Sequence, residues 1–129
     1  MVGILIIAHG NLGQSMIDCA THVFSGRPPQ LESLNIDPQA DPEEQLRTAQ
    51  DLVRRLDSGN GVLVISDLFG ATPCNVACGV LQPGKVEGIS GANLSMLIRA
   101  LTYRTQPLAM VAQKALAGGT QGVRPLPTS

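Results

Sequence analysis

The sequence has no tryptophan, one tyrosine and two phenylalanines among its 129 residues. Proteins that grip single-stranded nucleic acid stack bases on aromatic faces, and no such platform can be assembled here. Charge of one sign is equally scarce: nine Lys and Arg stand against ten Asp and Glu, a formal net charge of −1. That balance provides neither a basic field for nucleic acid nor a polybasic run for an anionic membrane. No apolar stretch approaches the about 20 residues needed to cross a bilayer. Val2 to Ala8 also lacks the basic flank of a signal peptide. A cytoplasmic protein is expected, with neither nucleic acid nor membrane insertion in its work. The three cysteines, Cys19, Cys74 and Cys78, are odd in number and show no CxxC spacing. They are expected to be small buried thiols in a reducing compartment. Cys74 and Cys78 could share a helix face, but His9 and His22 lie far off in sequence, so no metal and no cofactor is predicted.

What the sequence does contain is alternation. GILIIAHG is a continuous apolar run ending at Gly10, the pattern of a central parallel strand buried on both faces. Leu12, Met16, Cys19, Ala20 and Val23 follow at helical spacing until Gly26 and Pro28. Leu31 to Ile36 is a second strand. Asp41, Pro42 and Glu44 then open a helix with a cap, a first-position proline and an acidic first turn, and its buried stripe runs to Leu56. Gly61 to Ser66 is a third strand, followed by the turn DLFGATPCN. Thr72 and Pro73 there predict an N-cap and first position of a short helix reaching Leu81. Lys85 to Ser90 is a fourth strand, a helix carries Leu94 to Leu101, and an apolar segment from Leu108 is predicted to end at Gly118 and Gly119. Val123 to Leu126 is predicted as a last edge strand, limited by Pro125 and Pro127.

Strands alternating with helices at this spacing predict one α/β domain over residues 1–129. Its sheet is expected to be doubly wound, mainly parallel and open, in the order 2-1-3-4. Ligands in such sheets bind beyond the carboxyl ends of the strands where the order reverses, here between the first and third. His9 ends the first strand and Asp67 ends the third. A carboxylate that accepts a hydrogen bond from one ring nitrogen fixes the tautomer and leaves the other nitrogen free to attack. His9 is therefore the candidate nucleophile and Asp67 its orienting partner. Gly10 and Gly70 permit close backbone approach, Ala71 lies in the turn, and Thr72 adds a hydroxyl at a helix start, a set suited to phosphoryl oxygens. His22 is expected at the surface. Ser90 in GISGA breaks the GxSxG elbow of a hydrolase because Ala92 replaces the last glycine.

Three blocks, AHGNLG at 8–13, DLFGATPCN at 67–75 and GANLSML at 91–97, carry a resemblance that extends over about the whole chain. The sequence resembles the mannose-family IIA component of the bacterial phosphoenolpyruvate:sugar phosphotransferase system. That resemblance implies a phosphocarrier: His9 receives a phosphoryl group from the histidine phosphocarrier HPr and passes it to a IIB component. It implies that Asp67 orients the ring and that Thr72 and its neighbouring backbone hold the phosphoryl oxygens. It further implies a homodimer and an antiparallel C-terminal edge strand. Ala8 stands where the family often has Thr or Ser, Ala71 where a second glycine is common, and Ser95 where some members have proline. With no IIB segment after Ser129, a regulatory role is expected ahead of sugar import. A histidine phosphatase or mutase would need an arginine beside the histidine, and Ala8 holds that place; a non-catalytic binding module would leave His9 unmodified.

Overall fold

The computed structural model describes residues 1–128. The apolar run forms β1 (Gly3–His9), flanked by β2 (Leu31–Ile36) and β3 (Val62–Ser66), with β4 (Val86–Ile89) outermost beyond β3. The four strands pair in parallel, in the expected order β2-β1-β3-β4. Alternation along β1 divides the core into two. Ile4, Ile6 and Ala8 pack with Met16, Ile17, Leu97 and Val111, from α1 (Leu12–Val23), α4 (Leu94–Tyr103) and α5 (Leu108–Gln121). Leu5 and Ile7 face the other way, onto Ala49, Leu52, Val53 and Val76, from α2 (Pro42–Leu56) and α3 (Thr72–Cys78). A strand covered by helices on both faces has no reason to alternate in polarity, so β1 reads as unbroken apolar sequence.

The start of α2 is set as its sequence dictates: Asp41 caps it by accepting from the Glu43 amide at 3.1 Å, with Pro42 directly behind. Arg104, predicted by nothing in the pattern, is buried and ties three segments together. Its guanidinium donates to the carbonyls of Val2, Pro29 and Gln30, fixing the chain's start against the entry to β2.

Four expectations need correction. First, α5 does not stop at Gly118 and Gly119 but runs through them to Gln121. Those glycines lie against α4: a Cβ on Gly118 would sit 2.6 Å from Arg99 Cβ, and one on Gly119 would sit 2.8 Å from Met96 Cε. They permit close helix approach rather than a stop. Gly118→Ala should therefore destabilise the fold by about 1–3 kcal/mol through overpacking, despite alanine's better helix propensity, as read from denaturant midpoints. Second, α3 begins one residue earlier than predicted, with Ala71 as its N-cap residue, and ends at Cys78. Pro83 and Gly84 (φ 79°) make a tight turn closed by the Lys85 amide on the Gln82 carbonyl at 2.9 Å, which draws Leu81 and Gln82 out of the helix. Third, residues 123–128 form no strand; the antiparallel edge strand expected there is not seen, and Val123 and Leu126 are exposed. Pro125 and Pro127 offer no amide to a ladder. Fourth, only Cys74 of the three thiols is buried, while Cys19 and Cys78 are exposed.

Candidate functional site

The register Ile7 against Ser66 brings the carboxyl ends of β1 and β3 side by side. Two residues 58 positions apart in the chain therefore meet. The His9 amide donates to Asp67 Oδ2 at 2.9 Å, and His9 Nδ1 lies 2.8 Å from the same oxygen. The other carboxylate oxygen accepts the Leu68 amide at 2.8 Å. Burial pushes the Asp67 carboxyl up, but the hydrogen bonds from the His9 amide, the His9 ring and the Leu68 amide outweigh it, with the His9 charge adding, and hold it below its ordinary value. The carboxylate is then ionised at neutral pH and can only accept, so Nδ1 carries the proton it shares with Asp67. In the neutral form of the ring the lone pair is then on Nε2. The ring is more than half exposed while Asp67 is nearly covered, at 55% and 10%. One side of the imidazole is held and the other is open.

A carboxyl group with a lowered folded-state pKa contributes stability that is complete above its unfolded value, about 3.9 for Asp. That contribution is lost as pH falls through the folded value. Wild type should hold its stability advantage over Asp67→Ala down to about pH 4 and lose it progressively below, in acid titrations followed by circular dichroism.

The GANLSML block works on this site from behind. The Gly91 amide (φ 84°) donates to the Asp67 carbonyl at 2.9 Å and the Ala92 amide to the Ser66 carbonyl at 3.0 Å. Asn93 caps α4 by accepting from the Met96 amide at 2.8 Å and donates to the Gly119 carbonyl at 3.0 Å. The end of β3 is thus pinned to α4 and α5. No periodicity reveals these backbone clamps; only the turn glycine hints at them.

The remaining candidates sit around the same sheet end. Gly10 and Gly70 adopt left-handed conformations, φ 51° and 83°, with open space where a Cβ would be. Ala71 is the N-cap residue of α3 and Thr72 its first, and Thr72 is exposed. Among the described residues no hydrogen bond joins Gly10, Gly70, Ala71 or Thr72 to the His9 ring, so the structure assembles the His9–Asp67 pair and leaves the rest as its border. Asn11, two residues after His9, and Asn35, in register with Ala8, were not anticipated; Asn35 Nδ2 donates to Asn11 Oδ1 at 3.0 Å. Leu68 and Phe69 project into solvent at 62% and 83% exposure. His22 is exposed as expected. Among the described residues no three His, Cys, Asp or Glu side chains are grouped to hold a metal, and no helix is long and apolar enough to cross a membrane.

Comparison with known proteins places these features in company. Residues 3–116 match the family EIIA-man, described as PTS system fructose IIA component. The fold superimposes on a phosphotransferase system component EIIA from Streptococcus agalactiae with a TM-score of 0.85 and 25% identity, covering 97% of each chain. It also matches a mannose/sorbose specific IIA subunit from Enterococcus faecalis, at TM-score 0.84 and 21% identity, covering 99% of this chain and 96% of that one. A PTS IIA protein associated with the fucose utilization operon of Streptococcus pneumoniae aligns at TM-score 0.81 and 23% identity, covering 97% and 96%.

Proposed function

This chain belongs to the EIIA-man family of IIA components, phosphocarriers of the phosphotransferase system, and from that premise we propose that the phosphoryl group it carries is bound to Nε2 of His9. The observation that carries the proposal is the hydrogen bond between His9 Nδ1 and Asp67, which in the neutral ring puts the lone pair on Nε2 of a side chain more than half exposed. Phosphoryl transfer needs positioning and charge stabilisation more than covalent assistance. Nε2 attacks the phosphorus in line as the donor's own bond to phosphorus breaks. The ring gains positive charge when the P–N bond forms, and the Asp67 carboxylate offsets that charge through the Nδ1 proton. Departure to the next carrier reverses the step.

Gly10, Gly70, Ala71 and Thr72 are the proposed surroundings of the phosphoryl oxygens. The left-handed glycines permit close backbone approach, and the Thr72 hydroxyl is exposed to receive an oxygen. The proposed donor is the phosphocarrier HPr and the proposed acceptor a IIB component. Exposed Leu68 and Phe69 beside Asp67, with Leu12 just beyond His9, give an apolar rim against which such proteins can seat. The buried Ala8 before His9 offers no cation to a phosphatase-type clamp. A homodimer belongs to the same proposal, supported by the exposed apolar Val123 and Leu126. Sedimentation equilibrium should return twice the chain mass of 13.5 kDa, and a monomer at micromolar concentration would refute that part.

The test is incubation with labelled phosphoenolpyruvate, enzyme I and HPr. Label on this protein should be labile in acid and stable in base, as a phosphoramidate is. A base-labile or acid-stable product would place the group on a carboxylate or a hydroxyl instead.

A further inference from the structure

Cys74 and Cys78 lie one helical turn apart on α3, the first buried and the second exposed. Both line a cavity of about 150 Å³ shared with Ser66, Phe69, Ile89 and Ser90. Apart from Phe69, which also belongs to the proposed partner rim, the phosphocarrier reading uses none of these side chains. Ser66 has a particular standing: its side-chain oxygen is buried and has no hydrogen-bond partner in the protein. A buried hydroxyl left unpaired is costly, and where it lines a cavity it points to something the cavity takes up.

Two thiols at this spacing have three ordinary fates. A direct disulfide requires Cβ atoms about 3.5–4.5 Å apart, whereas residues four apart on a helix hold theirs at about 5–6 Å. Closing it would unwind α3. Zinc requires four ligands, and among the described residues no His, Asp or Glu joins the two thiols. A bridging centre with two sulfur ligands fits both constraints, since two bonds of about 2.3 Å take up the extra separation. Soft thiolates select soft cations, and a cation of the Cu(I) type is satisfied by two of them.

We propose that Cys74 and Cys78, with the Ser66 hydroxyl in the same cavity, form a two-coordinate site for a soft monovalent cation of the Cu(I) class. Binding breaks two S–H bonds and forms two metal–sulfur bonds, releasing two protons with no change of oxidation state. The Ser66 O–H then has an acceptor in thiolate sulfur. Cys19, exposed on α1, lies outside the cavity and serves as an internal control.

The test is an anaerobic titration of the full chain with Cu(I) held by the chromophoric chelator bicinchoninate. Wild type and Cys19→Ser should each withdraw one equivalent. Ser66→Ala should weaken binding by about 10-fold, and Cys74→Ser or Cys78→Ser by more than the roughly 100-fold an outer-sphere partner is worth. Because Cys78 is exposed, Cys78→Ser should fold even where Cys74→Ser does not, which a thermal melt of each variant establishes. Failure of wild type to compete for Cu(I), unchanged affinity in Cys78→Ser, or loss of the bound equivalent in Cys19→Ser would each overturn the proposal. Since the readout is copper uptake, it stands or falls apart from phosphorylation of His9.

Discussion

His9→Ala is expected to take up no phosphoryl group from phosphorylated HPr, with transfer reduced to background, about 10⁴-fold or more. On the proposed assignment this substitution removes the atom that forms the P–N bond, so neither longer incubation nor more donor should restore it. The substitution should leave the fold intact, because the ring is 55% exposed and contributes little buried surface. Circular dichroism and the thermal midpoint of the variant would establish that. Label retained at the wild-type rate in a folded His9→Ala protein would show that another residue is the acceptor.

Asp67→Ala should behave differently, and the difference is diagnostic. Here the nucleophile survives, so the variant should reach nearly full phosphorylation, but about 10²–10⁴ times more slowly. Without the carboxylate the imidazole samples both tautomers, and no fixed negative charge offsets the charge that develops on the ring. Asparagine is not a silent replacement either. The carboxylate accepts the His9 amide, the His9 ring and the Leu68 amide, and one carboxamide oxygen cannot serve both sides. Either orientation of the amide opposes an N–H to an N–H. Rapid-quench measurement of the single-turnover rate separates these outcomes. A rate within twofold of wild type would remove Asp67 from the chemistry, and a zero end point would make it part of the acceptor itself.

The central pair was legible in the sequence because topology converts sequence into proximity. An apolar run ending in His9 and another ending before Asp67 must lie side by side if the first and third strands are neighbours, and they are. The helix caps were legible in part for a similarly local reason: Asp41 and Pro42 carry their geometry in their own covalent structure. What escaped was decided by contacts between elements. Gly118 and Gly119 look like a helix stop in one dimension, and only the presence of α4 makes them a packing surface. The three thiols read as apolar residues, yet two lie on solvent-facing helix surfaces. Gly91 and Ala92 act through backbone amides, which no residue type advertises. The tail contains the apolar residues of a strand, but its prolines and its exposure leave it unpaired within the chain.

One nitrogen, Nε2 of His9, carries the proposed chemistry. Long-range ¹H–¹⁵N correlation spectra of imidazole-labelled protein, recorded after phosphorylation by HPr, identify which ring atom bears phosphorus. Phosphorus coupling at Nε2 of His9, with Nδ1 protonated toward Asp67, is the predicted result. Coupling at Nδ1, or an unmodified His9 in a phosphorylated protein, would contradict it.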